Sequence, residues 1–492
     1  MRREVASILP CSHSLGSATL ATMASMVPVT MVTMIAVISD LHLEEEASDV
    51  VRDDGGKEVV FRRNLDAKAY RSFISHMADE AQRRKARQFE LVIAGDLFDF
   101  SRTTLWFDDD LRPYVALGEI SPELEAKTLK ILDAIAREPA VKETLEIFRA
   151  LSAGKYKVYD EQSREWNEHD FPCKVKLTCL AGNHDRLINA STRVRERVRE
   201  LLGMEGSEAF PHYALFEDPA ALVRHGHEYD PNNFAVDLSG EKSIPLDVDQ
   251  AGYAEANFGD FITIDVAVRL PHLFRRKYGD QQIVADDVLR ALYLRLLQFD
   301  DVRPQSALLD YMLDDSHGKF STEQGWERLV PVLQDLLAEI HDNKFFHEWL
   351  RKRAKPWAPV ELEVARGLLE LGGWKNRPAR EAARKITRFM MGGEPEEPQL
   401  FAMREELIAN NKVRLVLAGH THAPEVCLVK SDEHGDSFYI NTGTWRDVIP
   451  STPDGRTFGR IRALTYVVLY AKTEQTGTNS FDYWTGLTKD WE

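Results

Sequence analysis

The sequence is poor in cysteine. Its 492 residues include only 4, and no two of them are separated by the two-residue spacing of a zinc ribbon or a thioredoxin-type motif. Cys173 and Cys179 lie in one predicted strand, where they would be about 20 Å apart at roughly 3.3 Å per residue, too far for a disulfide. We therefore expect reduced thiols and a cytoplasmic protein.

Long apolar runs and an excess of positive charge are also missing. Without a run of 18 apolar residues, the sequence predicts no transmembrane segment. Lys and Arg total 62 against 79 Asp and Glu, a net charge of −17. Because proteins that coat nucleic acid carry basic surfaces, this balance disfavours nucleic acid as the partner. At roughly 150 residues per domain, the length predicts two or three folding units.

Residues 1–33 do not have the pattern of a secretory signal. Their most apolar part, from Val29, continues into Met34–Asp40, which we predict to be a core strand, so cleavage there would cut into the fold. We interpret residues 1–33 as a disordered extension or a mis-assigned start, with translation beginning at Met31 or Met34. A weak targeting signal is the alternative.

Short apolar runs, each followed by Asp, Asn, His or Gly, recur along the chain. They cover residues 35–38, 91–94, 175–181, 221–223 and 413–418. Helical periodicity appears between them, at residues 67–87, 122–136, 141–153 and 191–202. Buried strands that alternate with helices predict an α/β fold, and such folds place their sites at the carboxyl ends of strands.

Residues 231–410 have a different pattern, dominated by amphipathic helices. The predicted helices cover 284–297, 326–341, 345–352, 359–371 and 379–391, and a linker follows at 392–398. We predict a helical cap inserted into a catalytic domain made of residues 34–230 and 411–492, and we expect the cap to supply no metal ligand. Basic clusters at 275–277, 351–355 and 375–388 indicate either a solvated helix face or capture of a polyanionic substrate. Residues 261–278 are amphipathic, and we expect them to pack against protein rather than a membrane.

The polar clusters at the predicted strand ends share carboxylate and imidazole side chains. These groups suit divalent manganese, iron or zinc, and residues i and i+2 of an extended segment lie on the same side. The clusters are Asp40-Leu41-His42, Gly95-Asp96-Leu97-Phe98-Asp99, Gly182-Asn183-His184-Asp185, His225-Gly226-His227 and Gly419-His420-Thr421-His422.

In this order, the clusters resemble the five signature motifs of the calcineurin-like metallophosphoesterase superfamily. The resemblance covers about residues 34–230 and 412–471. It implies a four-layer αββα sandwich that holds two divalent metal ions, with manganese expected and iron or zinc as alternatives. It also implies the ligands: Asp40, His42, Asp96 and His422 for one ion, and Asp96, Asn183, His225 and His420 for the other, with Asp96 shared.

The reaction implied by the resemblance is hydrolysis of a phosphomonoester, phosphodiester or pyrophosphate by a hydroxide that bridges the two ions. His184 would protonate the leaving group or stabilise the transition state, and Asp99 would orient it. The expected substrate is a phosphorylated small molecule or a nucleotide-like compound. His227 is open between a metal ligand, a residue that supports the ligands and a phosphate contact. Asp185 and Asp230 are equally open, with a helix N-cap as a further interpretation of Asp185. Residues 44–46 (three Glu) are interpreted as a solvated loop.

Other branches of the superfamily remain as alternatives. The protein Ser/Thr phosphatases are disfavoured because Phe100-Ser101 and Asp185 replace their Arg-Gly pair and their Glu. A metal-dependent nuclease is one alternative. A nucleotide-lipid pyrophosphate hydrolase of the UDP-diacylglucosamine type is another, although those enzymes have Arg in place of His184. A non-catalytic scaffold is the non-enzyme alternative, and the oligomeric state stays open.

Overall fold

A computed structural model describes residues 33–160, 162–304, 307–314, 318–353, 397–454, 457–471 and 480–488. The predicted N-terminal extension apart from Thr33, the predicted helices at 359–371 and 379–391, and most of the linker at 392–398 lie outside these ranges. The described chain has a mixed α/β structure with parallel and antiparallel strand pairs, so the predicted α/β class is confirmed.

Each of the five predicted apolar runs forms a strand, and further strands lie between and after them. In chain order they are β1 (Thr33–Ile38), β2 (Val51–Arg52), β3 (Glu58–Val59), β4 (Gln88–Ala94), β5 (Lys155–Asp160), β6 (Glu165–Asp170), β7 (Lys174–Leu180), β8 (Tyr213–Phe216), β9 (Ala221–Arg224), β10 (Val302–Arg303), β11 (Leu415–Ala418), β12 (Glu425–Asp432), β13 (Gly435–Asn441), β14 (Asp447–Pro450), β15 (Ile461–Tyr470) and β16 (Phe481–Thr488).

The helices likewise lie where the periodicity predicts them, except that residues 284–297 form two helices. Asp286 separates these two, since its side chain caps the second by accepting hydrogen bonds from the Val288 and Leu289 amides. In chain order the helices are α1 (Ala67–Arg84), α2 (Pro122–Arg137), α3 (Pro139–Ser152), α4 (Thr192–Leu202), α5 (Gln250–Ala254), α6 (Phe258–Phe261), α7 (Arg269–Tyr278), α8 (Asp280–Ala285), α9 (Asp287–Leu296), α10 (Leu308–Met312), α11 (Thr322–Asp342), α12 (Lys344–Arg353), α13 (Pro398–Arg404) and α14 (Glu406–Ala409).

Two large sheets share one buried apolar layer. The larger has the order β10-β14-β15-β1-β4-β7, with β16 also paired to β15, and the smaller has the order β12-β13-β11-β9-β8. β1, β4 and β7 are parallel, as are β9, β11 and β13, so the carboxyl ends within each set meet at one edge. Val37 and Val92 of the larger sheet join Val223 and Leu417 of the smaller in a single core cluster.

Helices cover the outer faces of both sheets. Alternate residues of β1, Met34 and Ala36, point away from the shared layer and pack with residues of α1 and α3, such as Met77 and Phe148. On the smaller sheet, Val416 packs with side chains from residues 229–253 and from α13 and α14. The first and last described parts of the predicted cap therefore lie on the sheet.

The middle of the predicted cap contributes most of a second apolar cluster, which is completed by buried residues from outside the cap, among them Val51 and Ile449. Residues 258–353, called the helical region below, bury side chains of α7, α9 and α11 in one apolar cluster, and Phe274 at its centre is fully buried. The amphipathic segment 261–278 contributes its apolar face to this cluster. The helical region also contributes β10, which pairs with β14 at the end of the larger sheet. This pairing joins the helical region to the larger sheet.

Candidate metal centre

The predicted site residues all follow buried strands whose carboxyl ends meet. They come after β1 (Asp40 and His42), β4 (Asp96 and Asp99), β7 (Asn183 and His184), β9 (His225) and β11 (His420 and His422). Backbone hydrogen bonds join the first two of these loops, since the Asp40 amide donates to the Gly95 carbonyl at 3.2 Å and the His42 amide to the Asp96 carbonyl at 2.9 Å. The fold thus brings together side chains that lie up to 382 positions apart, from residue 40 to residue 422.

The backbone at this site has an unusual conformation. Among the described residues, nine non-glycine residues have positive φ, and five of them are predicted ligands: Asp40, His42, Asp96, His420 and His422. A non-glycine residue with positive φ is uncommon and costs about 1–3 kcal/mol. Such a concentration at one place indicates that the loops are shaped to aim these side chains inward.

Two glycines allow the loops to approach one another closely. A β-carbon at Gly182 would overlap the Asp96 carboxylate, and one at Gly419 would overlap the carboxylate of Asp40. Any larger residue at either position would therefore displace a predicted ligand.

One group of predicted ligands surrounds Asp40. The His422 Nε2 atom lies 3.3 Å from Asp40 Oδ1 and 3.0 Å from His42 Nε2. The Asp40 carboxylate is fully buried and also accepts the backbone amide of His420. Asp40, His42 and His422 thus place one donor atom each around a common point, with all three atoms within 4.8 Å of one another.

A second group surrounds Asn183. The Asn183 Oδ1 atom lies 3.1 Å from His225 Nε2 and 3.1 Å from His420 Nδ1. Its amide nitrogen donates to Asn233, which directs the oxygen toward the two imidazoles. Asp96 lies between the two groups, since its Oδ2 atom is 3.1 Å from His225 Nε2 and 3.6 Å from His42 Nε2.

The outer nitrogens of three imidazoles hold hydrogen bonds to acceptors. His42 Nδ1 faces Asp99 Oδ2 at 3.1 Å, His225 Nδ1 donates to the Ala94 carbonyl at 2.8 Å, and His420 Nε2 faces Asp230 Oδ2 at 3.2 Å. A neutral imidazole whose outer nitrogen carries the proton presents a lone pair on the inner nitrogen. Second-shell partners of this kind orient histidine ligands around metals.

The donor set fits divalent cations. The Asp40, Asp96 and Asp99 carboxylates are at most 1% exposed, and buried negative charges need cationic partners. Carboxylate, imidazole and amide oxygen donors with inward-facing lone pairs suit manganese, iron or zinc. The structure therefore brings every predicted ligand to one place in two groups that share Asp96, while the assignment of each residue as a ligand stays a prediction.

His184 lies beside both groups. Its backbone amide donates to Asp96 Oδ1 at 2.9 Å, and its Nδ1 faces Asp99 Oδ1 at 3.1 Å. Asp99 therefore contacts His42 with one oxygen and His184 with the other, and it also accepts the backbone amides of Ser101 and Arg102. The imidazole of His184 is close enough to His42 and Asp96 to complete a third possible donor group.

Charge around the site shifts the pKa of its acids and bases. Burial opposes a charge on His184, but the Asp99 and Asp96 carboxylates raise the pKa of its imidazole to about 10. Burial would likewise raise the pKa of Asp99, yet His184 and His42 hold it well below its usual range. An imidazolium at His184 is thus favoured by the same carboxylates that fix its position, as a proton donor requires.

Burial and pairing contradict the interpretation of residues 44–46 as a solvated loop. Glu44, Glu45 and Glu46 are at most 3% exposed. Glu44 forms ion pairs with Arg63 and with Arg102, the latter at 3.3 Å. The prediction was wrong because the arginines that pair with these glutamates come from other loops, and the local composition does not indicate such partners.

Asp185 and His227 are buried neighbours of the predicted ligands. Asp185 takes the N-cap position of a short 3-10 helix, Arg186–Asn189, but its carboxylate accepts the amides of Gly182 and Leu97 at 2.6 and 2.9 Å and does not cap that helix. His227 is buried, with its ring 5.3 Å from that of His225. Burial lowers the pKa of His227 to about 3, so the residue is a neutral imidazole beside the site.

Asp230, whose role the sequence left open, contacts His420. Sequence reasoning missed Arg303, whose Nη2 atom lies 3.0 Å from His422 Nδ1. Arg303 stands alone between Val302 and Pro304, far from every motif, and nothing in the sequence marks it.

No protein-family model matches this chain, and the search of curated proteins finds no match either. In the part of the chain that the structure describes, no helix combines the length and apolarity needed to cross a membrane.

Proposed function

We propose that this protein is a dinuclear metal-dependent phosphoesterase of the calcineurin-like type, with the αββα sandwich of that superfamily. The observation that carries the proposal is the meeting of Asp40, His42, Asp96, Asn183, His225, His420 and His422 in two donor groups that share Asp96. The outward hydrogen bonds of three of these imidazoles support the same conclusion, because they leave donor lone pairs facing inward.

Asp40, His42, Asp96 and His422 would hold one ion, and Asp96, Asn183, His225 and His420 the other. When bound, such a pair of ions supplies Lewis-acid stabilisation of phosphoryl oxygens and acidifies the attacking water. Manganese is the ion we favour, with iron or zinc as alternatives. The substrate would be a phosphorylated small molecule or a nucleotide-like compound.

His184 would donate a proton to the leaving oxygen of the ester. Its imidazolium is favoured by Asp99 and Asp96, and its Nδ1 atom is held by Asp99, so the ring has a fixed orientation. Asp99 would position two rings at once, since it also holds His42. A general acid of this kind typically accelerates a reaction by about 10²–10⁴-fold.

The test is a metal-reconstituted activity screen of the full chain. After loading with Mn²⁺, Fe²⁺ or Zn²⁺, hydrolysis of an aryl phosphomonoester, an aryl phosphodiester, nucleotide pyrophosphates and single-stranded DNA would be compared. We expect metal-dependent hydrolysis of at least one small phosphate ester and its loss on chelation. Cleavage of single-stranded DNA alone would favour the nuclease alternative. Bound metal without hydrolysis of any substrate would favour the scaffold.

A further inference from the structure

Arg303 is the residue by which the helical region reaches the candidate metal centre. It lies on β10, the short strand that pairs with β14, opposite Pro450 in register. One guanidinium nitrogen, Nη1, donates to the backbone carbonyls of Asp300 and Val302. The other, Nη2, points at His422 Nδ1 at 3.0 Å. The cation is therefore held against the group formed by Asp40, His42 and His422.

The contact between Arg303 and His422 differs from those of the other imidazoles. His42, His225 and His420 each have an acceptor at the outer nitrogen, whereas His422 has a donor there. A guanidinium can only donate, and a neutral imidazole has a single lone pair. If His422 Nε2 bound an ion, His422 Nδ1 would carry the ring proton and could no longer accept a hydrogen bond from Arg303. The Arg303 guanidinium would then need another acceptor.

Ion pairs hold the segment that carries Arg303. The Asp300 carboxylate accepts from Arg102 at 2.6 Å, and Asp301 pairs with Arg446 at 3.0 Å. Arg102 follows Asp99 in the chain, and Arg446 follows the turn whose Thr444 hydroxyl donates to the Asp40 carbonyl at 2.8 Å. The loop that carries Asp99 and the turn at Thr444 therefore fix the backbone just before β10.

These contacts point to an anionic ligand, and we propose that Arg303 binds the phosphoryl oxygens of the substrate once the centre is loaded with metal. This inference rests on the proposed function and adds a substrate-binding residue to it. Arginine suits the role because its planar guanidinium donates two parallel hydrogen bonds to phosphate oxygens. Asp301, paired with Arg446, acts as a positioning residue for Arg303.

The test measures the binding of inorganic phosphate, which requires no turnover. Calorimetry on the full chain, with and without Mn²⁺, would compare wild type with Arg303→Gln, Arg303→Lys and the control Arg351→Gln. Arg351 is a suitable control because it is an exposed arginine of α12, in a basic cluster that the sequence analysis singled out. Metal content would be measured for every protein.

For the Mn²⁺-loaded protein, we expect Arg303→Gln to weaken phosphate binding about 10- to 100-fold without loss of metal. The phosphate affinity of Arg303→Lys should lie between those of wild type and Arg303→Gln, since lysine keeps the positive charge but lacks the planar guanidinium. Arg351→Gln should match wild type. Without metal, Arg303→Gln should bind phosphate no more weakly than wild type, because Arg303 is then engaged with His422.

Several results would overturn the proposal. Unchanged phosphate affinity in Arg303→Gln, with wild type binding phosphate, would remove Arg303 from the substrate site and leave the proposed function standing. A wild-type protein that neither hydrolyses esters nor binds phosphate would overturn both. Metal loss that parallels the weaker phosphate binding would make Arg303 a support of the metal ligands. If Arg303→Gln does not fold, the comparison of Arg303→Lys with wild type decides by the same criteria.

The role of Asp301 has its own test. Asp301→Asn should weaken phosphate binding less than Arg303→Gln does and should raise KM more than it lowers kcat. In the double variant, Asp301→Asn should not weaken phosphate binding further than Arg303→Gln alone does, because the effects of two residues that act through one contact are not additive. Additive losses would overturn the positioning role while leaving the binding role of Arg303 intact.

Discussion

The loops at the candidate metal centre and the helical region of residues 258–353 are built in opposite ways. The loops bury carboxylates and hold five predicted ligands at positive φ, both of which cost stability. The helical region consists mostly of amphipathic helices around an apolar cluster. The site therefore depends on the surrounding fold to hold strained and charged loops, whereas the described part of the helical region is held mainly by apolar packing and places Arg303 beside His422.

The comparison predicts that changes in the loops abolish metal binding or hydrolysis and that changes in the apolar cluster of the helical region affect stability. The largest effect should come from Asp96→Asn, because Asp96 Oδ2 lies between both donor groups. We expect metal content and hydrolysis to fall to the level of the chelated protein, measured by elemental analysis and a phosphate-release assay.

His434→Ala is the matched control for histidine and aspartate changes at the site, since His434 is an exposed residue of the turn between β12 and β13. It should keep both metal and activity. Retention of two ions by Asp96→Asn would show that Asp96 is not shared between them.

His184→Ala should separate catalysis from metal binding within the loops themselves. We expect kcat to fall about 10²–10⁴-fold while metal content stays at the wild-type value, because His184 would act as a proton donor rather than a ligand. Loss of metal from this variant would instead support the third donor group, in which His184 joins His42 and Asp96.

Phe274→Ala should have the converse effect in the helical region. This side chain is fully buried, and its ring lies 4.8 Å from that of Tyr278. Truncation should lower the free energy of unfolding by about 3–5 kcal/mol, measured by denaturant titration, with metal content unchanged. The control Met403→Ala, at a residue that is 49% exposed, should change the free energy of unfolding by less than about 0.5 kcal/mol. A fall in metal content of Phe274→Ala would show that the two regions are not independent.

Asp230→Ala should distinguish the two halves of the centre. Asp230 contacts His420 directly and Asn183 through Asn233. The affinity for the ion held by Asn183, His225 and His420 should therefore fall about 10- to 100-fold in a chelator competition. The other ion should bind as in wild type, and so should both ions in the exposed-aspartate control Asp237→Ala. Equal weakening of both ions in Asp230→Ala would contradict the division into two groups.

The smallest expected effect is a pH dependence in the helical region. Burial, with Arg269 and Arg276 nearby, lowers the pKa of His272 from 6.5 to about 4. The unfolded chain therefore takes up a proton near pH 6.5 that the folded chain resists, and stability falls as the pH drops from about 6.5 to 4. His272→Gln should flatten this part of the stability curve, measured by thermal unfolding, and an unchanged slope would contradict the assignment.

Much of the site was predictable because its signals are local. Each predicted ligand directly follows an apolar run, as Asp40 follows β1 and His420 follows β11, and strand polarity alone brings such ends to one edge. Residues 44–46 were predicted wrongly because burial of an acidic run depends on partners such as Arg63 and Arg102. Arg303 was not predictable at all, since its role depends on the pairing of β10 with β14.

By itself, the sequence determined the α/β class and the strands and helices with strong hydrophobic periodicity, because periodicity is a property of neighbouring residues. Its motifs indicated the candidate ligands through their resemblance to the superfamily. Only the tertiary structure decided which nitrogen of each imidazole faces inward, that Asp99 holds both His42 and His184, and that a cation from the helical region reaches His422. These features arise from contacts between residues far apart in the chain, and each contact depends on strand register and loop conformation that no local pattern encodes.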